Sequence, residues 1–294
     1  MQTELILSTY NSPRALWLTL LSVTRQTRLP DSICVADDGS GPETAEVIAR
    51  FRAEHPQIPL RHLWHEDRGF QKNEILNKGV GSSTAEYMVF IDGDCLIHPG
   101  FIARHLELAR PDRFLSGSLI RLDTPTTEAV TEDDVLSGRV FDRGWLARTG
   151  TLRRFTTRLK AGAWPKWLSS ALEALYPVGR NWCGANGSAY RAAILKVNGL
   201  DETMKYGGGD KEFGIRLENS GVRGRHVRFT APLVHLDHPR GYKDAEKIRI
   251  HRGQITHARR SGKIRAEAGI DGHPELAPRD LAHPGLAHPP GQGA

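Results

Sequence analysis

Apolar runs alternate with helical patterns through the first third of the sequence, and each apolar run ends in a polar turn. The runs are residues 5–8, 32–36, 60–64 and 87–91. Strands that alternate with helices in this way are typical of an α/β fold with a parallel sheet. Ligands bind such sheets at the carboxyl ends of the strands. We therefore expect a ligand site where the turns after these strands meet.

Two of the turns contain paired carboxylates. Asp92 and Asp94, separated by one glycine, follow the fourth run, and Asp37 and Asp38 follow the second. Carboxylates on a tight backbone suit Mg²⁺ or Mn²⁺ bound to a diphosphate, and a carboxylate at 37 or 38 could accept the imide N–H of a uracil. Asp and Gly are also frequent in ordinary turns, so each pair alone leaves a structural role open.

Glycines 207–209 precede Asp210 and an apparent helix. Consecutive glycines leave the backbone free to close over a ligand. A carboxylate at this position could take a proton from an attacking hydroxyl as a general base. Acidic residues are common in the first turn of any helix, so a structural role is the alternative.

A second group of metal-ligating residue types follows the last predicted strand. His235 and Asp237 would share one face of that strand, and His238 would lie beyond its end. One imidazole here is a candidate metal ligand, and we favour His235 because the strand would fix it. A purely structural histidine remains the alternative.

Several function classes lack their sequence signals. No GxGxxG follows a strand, and there is no GxxxxGK[ST] loop, GxSxG elbow, helix-turn-helix or zinc-finger spacing. Three distant cysteines without a CxxC pair indicate a reducing, cytoplasmic setting. No apolar run is long enough to cross a membrane, and the N-terminus does not resemble a secretory signal.

Positive charge is concentrated in one segment. Residues 240–265 contain nine Lys/Arg and two Asp/Glu, whereas the net charge of the whole chain is only +6. We therefore expect no nucleic-acid partner. The segment predicts peripheral contact with anionic lipid at the inner membrane face, or with a pyrophosphate-lipid acceptor. A solvated basic helix is the alternative.

The order and spacing of the motifs resemble family 2 glycosyltransferases, which are inverting sugar transferases of the GT-A fold. The motifs are TYN, ADDGS, DRGFQKNEILNKGV, IDGD, GANGSAYR, NGLDE, YGGGDKEFGIRL and LVHLDH. The later ones are similar to the bacterial branch whose C-terminal half resembles β-1,4-galactosyltransferases and chondroitin-polymerase-type enzymes. The resemblance covers residues 3–242 and is weakest over 123–180. It implies an α/β fold with a mostly parallel nucleotide-binding sheet flanked by helices, and a smaller acceptor-side region.

The resemblance also implies roles for individual residues. Asp94 and His235 would ligate Mn²⁺ or Mg²⁺, and Asp210 would be the catalytic base. The residues implied to bind the nucleotide-sugar are Thr9, Tyr10, Asn11, Asp37, Asp38, Asp92, Gly184 and Asn186. Two positions depart from the family pattern: Gly209 replaces a usual glutamate, and Leu76 replaces a usual arginine, whose charge Lys72 or Lys78 would supply.

These observations predict a division of the chain and a function. The regions are a nucleotide-sugar-binding half (1–122), a loop-rich insert (123–180), an acceptor and catalytic half (181–242), a basic helix (243–265) and a disordered tail (266–294). By resemblance, the protein would transfer a sugar from a UDP-hexose or UDP-N-acetylhexosamine to a glycan or lipid-linked acceptor, in bacterial surface polysaccharide synthesis. The alternative is a non-catalytic binder of nucleotide-sugars or polyanions.

Overall fold

The computed structural model describes residues 1–162, 164–176, 179, 181–205, 207–238 and 245–274. Its strands are β1 (Thr3–Thr9), β2 (Ser32–Asp37), β3 (Leu60–Trp64), β4 (Tyr87–Asp92), β5 (Cys95–Ile97), β6 (Arg113–Ser116), β7 (Leu119–Arg121), β8 (Asn186–Tyr190), β9 (Arg223–His226) and β10 (Leu233–His235). Its α-helices are α1 (Pro13–Thr24), α2 (Pro42–Glu54), α3 (Lys72–Gly81), α4 (Phe101–Leu108), α5 (Thr124–Ala129), α6 (Glu132–Leu136), α7 (Arg143–Arg148), α8 (Phe155–Lys160), α9 (Lys166–Leu175), α10 (Arg191–Lys196), α11 (Gly209–Asn219) and α12 (Ala245–Ser261). Strands and helices alternate from β1 to β4, so the predicted α/β class is confirmed.

A seven-stranded sheet in the order β3-β2-β1-β4-β8-β6-β9 forms the centre of the fold. The first four strands in this order are parallel, and β8 runs antiparallel to both β4 and β6. Strands β1 and β2 are buried along their whole length, which explains why their sequences are continuous apolar runs rather than alternating ones. The predicted mostly parallel sheet is therefore confirmed.

A small second sheet places the end of β10 beside the end of β4. Its order is β5-β10-β7, and β5 pairs antiparallel with β10 so that Cys95 lies opposite His235. The backbone N–H of Leu236 donates to the carbonyl of Asp94 at 2.9 Å. Because Asp94 immediately precedes β5, this pairing brings a histidine from late in the chain to the turn that follows β4.

The segment 123–180, predicted to be loop-rich, contains five short helices in its described residues, α5 to α9. Three of them start at a side-chain cap, in which Asp123, Thr131 or Asp142 accepts a backbone N–H from the first turn. Caps stabilise helices that are too short to show a clear apolar periodicity. This explains why the sequence pattern alone does not reveal them.

The predicted disorder of the tail is wrong for residues 266–274. The N–H of Ala266 donates to the carbonyl of Val197 at 3.1 Å, and Asn198 Nδ2 donates to the carbonyl of Ala266 at 2.9 Å. These hydrogen bonds hold the start of residues 266–274 against the protein. The Pro and Gly content of the tail gives no indication of them in the sequence. Residues 275–294 lie outside the described part of the chain.

Helix α12 covers the start of α11. The preceding residue, Gly208, has φ +95°, and a Cβ on it would lie 3.1 Å from Ile255 Cδ1. The left-handed backbone and the close approach both favour glycine there. Residues 240–244 of the basic segment 240–265 lie outside the described residues. Among the helices that the structure describes, none has both the length and the apolar character needed to cross a membrane.

A buried ion pair ties β1 to β3 across β2. Arg61 donates to both carboxylate oxygens of Glu4, at 2.7 and 2.8 Å, and to the carbonyl of Gly79. We expect Arg61→Met to lower the free energy of unfolding by about 3 kcal/mol, because it leaves the Glu4 charge buried without a partner. Urea denaturation measures this change.

The control removes an ion pair on the surface of the same half. Arg50 pairs with Glu54 along α2, and both side chains are about half exposed. Glu54→Gln removes this pair while leaving Arg50 in place over the Trp17 ring, and should cost no more than about 0.5 kcal/mol. Equal losses in the two variants would contradict a structural role for the Arg61–Glu4 pair.

Candidate active site

Asp92, at the end of β4, contacts two polar side chains from other elements. Its Oδ1 atom accepts hydrogen bonds from Ser8 Oγ at 2.9 Å and from Lys72 Nζ at 2.5 Å. Ser8 pairs in register with Asp92 across β1 and β4, and Lys72 is the first residue of α3. The parallel pairing of the two strands therefore brings these groups together at the carboxyl edge of the sheet.

Asp94, His235 and His238 form a group of metal-ligating side chains next to Asp92. Asp94 Oδ2 lies 3.4 Å from His238 Nε2 and 3.7 Å from His235 Nε2. One ligand atom from each of the three residues lies within 4.8 Å of the others. His235 Nδ1 is buried and has no hydrogen-bond partner among the described residues. Two imidazoles and a carboxylate are an ordinary ligand set for a divalent cation, so these residues fit one.

Asp210, the second residue of α11, reaches the same region from the later half of the chain. Its Oδ2 atom accepts a hydrogen bond from the backbone N–H of Gly184 at 2.9 Å. A Cβ on residue 184 would lie 2.6 Å from Asp210 Oδ1, so any larger residue there would displace the Asp210 carboxylate. The Lys72 ammonium interacts electrostatically with both Asp92 and Asp210, so the two carboxylates act on one cation.

Burial and the charge of Lys72 shift the pKa values of these carboxylates in opposite directions. Burial alone would raise the pKa of Asp92, but Lys72 outweighs it and holds that pKa below its ordinary value. Burial and the neighbouring Asp92 charge raise the pKa of Asp94. Burial also raises the pKa of Asp210, although Lys72 and the Gly184 amide oppose the shift. A raised pKa is what a carboxylate general base requires.

The imidazole of His235 is shifted toward its neutral form. Burial is the largest influence and lowers its pKa, while the Asp94 charge acts in the opposite direction. A neutral imidazole is the form that ligates a metal ion. The lowered pKa of His235 therefore agrees with its position beside Asp94 and His238 as a metal ligand.

The predicted base-binding residues form the turn after β1. Asn11 adopts φ +44°, and its N–H donates to Ser40 Oγ at 2.8 Å, which ties the turn to the end of β2. The Tyr10 ring is half exposed, and its hydroxyl donates to Asp67 at 2.8 Å. Thr9 Oγ1 is buried without a partner among the described residues. The structure thus places a half-exposed aromatic ring in the turn after β1.

Asp37 and Asp38 are both buried and already have hydrogen-bond partners. Asp37 Oδ2 lies 2.9 Å from His62 Nε2, and Asp38 Oδ1 lies 2.8 Å from His65 Nε2. Asp38 Oδ2 also accepts the N–H of Gln71, just before α3. The contacts observed for both carboxylates brace the loops around the turn, and the predicted contact with a base or ribose stays a prediction.

Asn186 differs from the other predicted donor residues because it is 0% exposed. Its Nδ2 donates to the carbonyls of Ser118 at 3.2 Å and Ala231 at 3.0 Å. The side chain therefore crosslinks the segments around the small sheet. The structure brings Gly184 to Asp210 but leaves no surface of Asn186 facing the cluster.

Sequence reasoning missed two contributors to these clusters. The sequence favours His235 as the metal ligand because the strand would fix it, and places His238 only beyond the end of that strand. Asp237, from the same motif, instead accepts a hydrogen bond from Thr124 Oγ1 at 2.6 Å. Ser8 carried no signal, since its contact with Asp92 depends on the register of β1 against β4.

Comparison with known proteins identifies the family. The profile described as Glycosyl transferase family 2 matches residues 4–160, which is more than half of the chain. The chain belongs to glycosyl transferase family 2, and the protein is therefore a glycosyltransferase. The uncharacterized glycosyltransferase YfnE of Bacillus subtilis is 23% identical over 280 residues, which are 85% of this chain and 68% of that protein.

A second relative and two solved structures extend the comparison. The chondroitin synthase of Escherichia coli is 24% identical over 234 residues, 76% of this chain, which spans only 33% of that protein. S. aureus TarS, solved with UDP-GlcNAc, has a TM-score of 0.57 at 14% identity. The match covers 94% of this chain and 70% of the TarS chain. The mannosyltransferase PcManGT of Pyrobaculum calidifontis, solved with GDP-Man and Mn²⁺, has a TM-score of 0.55 at 18% identity. Its match covers 94% of this chain and 67% of the PcManGT chain. At these identities the solved structures support the fold.

The metal-ligand cluster generates a direct prediction. We expect Asp94→Asn to weaken Mn²⁺ binding by at least about tenfold, because substitutions even of groups that only support metal ligands have effects of that size. Isothermal titration of the protein with Mn²⁺ alone measures the loss. The matched control is Asp237→Asn, which removes a neighbouring carboxylate outside the cluster and should bind Mn²⁺ as the unsubstituted protein does. Unchanged binding by Asp94→Asn would refute the cluster as a metal site.

Proposed function

We propose that this protein is a metal-dependent, inverting glycosyltransferase that uses a nucleotide-sugar donor. The observation that carries the proposal is the meeting of two groups of side chains at one edge of the sheet. One is the Asp94, His235 and His238 cluster, and the other is Lys72 with Asp92 and Asp210. The first group fits a cation that would bind a diphosphate, and the second contains Asp210, a carboxylate with a raised pKa that suits proton transfer.

Each side chain has a task in this reaction. Asp94, His235 and His238 would hold a divalent cation, which supplies positive charge for the diphosphate that leaves the donor. Asp210 would accept the proton of the acceptor hydroxyl as that hydroxyl forms the new bond to the anomeric carbon. Lys72 would keep Asp92 ionised and hold the two carboxylates in place. Inversion follows because the hydroxyl attacks on the face opposite the leaving group.

The donor we propose is a UDP-hexose or UDP-N-acetylhexosamine. Support comes from the half-exposed Tyr10 ring at the turn after β1, which offers a stacking surface for a base. TarS was solved with UDP-GlcNAc, which agrees with this choice, whereas PcManGT was solved with GDP-Man. Comparing diphosphate release from UDP-sugars and from GDP-mannose, with Mn²⁺ present, distinguishes the two bases.

The acceptor we propose is a glycan or a lipid-linked saccharide of bacterial surface polysaccharide synthesis. The support is the similarity to the chondroitin synthase of Escherichia coli, which extends across 33% of that protein's length. Peripheral contact of the cytoplasmic protein with the inner membrane face through residues 240–265 belongs to the same proposal. Helix α12 supplies exposed cations for it, among them Arg252, Arg259 and Arg260.

The role of Asp210 is tested by a conservative substitution. Asp210→Asn should lower kcat by about a hundredfold or more, because the amide cannot accept the proton, while donor binding changes little. Steady-state release of nucleoside diphosphate, with calorimetry of donor binding, separates the two effects. Glu218→Gln on the exposed side of the same helix is the control and should leave kcat unchanged. An Asp210→Asn enzyme with full kcat would remove Asp210 from the reaction.

The dependence of activity on pH tests the coupling between Lys72 and Asp210. The base must be ionised, so activity falls as the pH drops through the pKa of Asp210, which burial raises. Lys72 opposes that rise, so Lys72→Met should raise the pKa of Asp210 further and move the acid limb of kcat to higher pH. Lys72→Arg keeps the charge and should leave the limb near its original position. An unshifted limb in Lys72→Met would show that the two groups are not coupled.

A further inference from the structure

Helix α9 is turned with its polar side toward the protein and its apolar side toward solvent. Ser169 and Glu173 are only 4% and 8% exposed, whereas Trp167 and Leu175 are 72% and 81% exposed. With about 3.6 residues per turn, Trp167, Ala171 and Leu175 lie on one face, opposite Glu173. A helix that packs to bury apolar surface would have the reverse orientation.

Specific polar contacts fix this orientation. Glu173 Oε1 accepts hydrogen bonds from the backbone N–H groups of Phe229 and Thr230, each at 2.9 Å, and from Thr230 Oγ1 at 2.7 Å. Arg104, which also donates to Ser170 Oγ at 3.0 Å, lies 3.7 Å from Glu173 Oε2. Rolling α9 to bury Trp167 would break all of these contacts. The outward apolar face is therefore built into the fold.

Positive charge predominates in the chain around this face. Residues 143–176 contain seven Lys/Arg and a single acidic residue, which is the buried Glu173. One of the seven, Lys166, pairs with Glu107 of α4 at 2.7 Å. Phe155, the first residue of α8, is a further apolar side chain that is 70% exposed. Helices α8 and α9, called the α8–α9 surface below, thus expose aromatic and aliphatic groups in a stretch rich in positive charge.

We propose that the α8–α9 surface docks onto a lipid bilayer that contains anionic phospholipid. Apolar side chains of an interfacial helix enter the boundary between headgroups and acyl chains, and neighbouring Lys and Arg bind the anionic headgroups. Tryptophan suits this position because one edge of its ring is polar. A second copy of the chain is disfavoured, because a symmetric contact would bring two cationic surfaces together.

The proposed docking surface borders the candidate active site. Lys160, at the end of α8, donates to the carbonyl of Leu119 in β7 at 2.8 Å. Strand β7 pairs with β10, which carries His235 of the metal-ligand cluster. Docking would thus bring the site close to the bilayer, where a lipid-linked acceptor is found. That consequence rests on the proposed function, whereas the docking itself does not.

Vesicle binding by the full chain tests the docking. Sedimentation with vesicles of phosphatidylcholine and phosphatidylglycerol should recover the unsubstituted protein, and vesicles of phosphatidylcholine alone should recover less. The double substitution Trp167→Ser/Leu175→Ser should weaken binding to the anionic vesicles by at least about tenfold, because it removes the inserting side chains. Both side chains are exposed, so the melting temperature should not fall.

Two controls test whether vesicle binding depends on the α8–α9 surface rather than on α12, and whether it is independent of the reaction. Arg252→Gln/Arg259→Gln removes two exposed charges of α12, which the membrane contact of residues 240–265 would also use, and should weaken vesicle binding much less than Trp167→Ser/Leu175→Ser does. Nucleoside diphosphate release with a soluble acceptor should be unchanged in Trp167→Ser/Leu175→Ser, so a failure of the proposed function is recognised independently.

Four results would overturn the proposal. They are no binding of the unsubstituted protein to anionic vesicles, equal binding by Trp167→Ser/Leu175→Ser, loss of binding only in the α12 variant, and a dimer that this double substitution converts to a monomer. The last result, measured by light scattering, would identify the face as a contact between copies of the chain.

Discussion

One lysine lies among the carboxylates at the carboxyl edge of the sheet and stabilises their charge. Lys72 contacts Asp92 directly, and its charge also acts on Asp210 and Asp94. Burial disfavours the charged form of the lysine, yet the carboxylates outweigh burial and raise its pKa above the ordinary value. Without this cation, the carboxylates of Asp92 and Asp210 would repel one another. The charge of Lys72 therefore favours the ionised form of both at one edge of the sheet.

The sequence predicts those parts of the fold and site that depend on local pattern. The apolar runs ending near Thr9, Asp37 and Asp92 identify the parallel strands, because strands buried on both faces require continuous apolar residues. The ends of β1 and β4 carry three of the clustered polar groups, Ser8, Asp92 and Asp94. The GT-A fold and the family were also recognisable from the order of the motifs.

Features that depend on long-range contacts could not be predicted. Whether His238 faces Asp94, or Asn186 turns into the core, is decided by pairing with distant segments. The reversed orientation of α9 depends on hydrogen bonds from Glu173 to residues 229 and 230. The packing of residues 266–274 depends likewise on Asn198. None of these partners is marked by spacing or composition.

The packing of α12 against the start of α11 has a consequence for synthesis of the chain. Strands β1 to β4 are complete once residue 92 has left the ribosome, so the turns at their carboxyl ends can form early. Ile255 and His251 of α12, which approach Gly208 at the start of α11, are added much later. The emerging protein can therefore form the turns after β1 to β4 well before α12 packs over the start of α11.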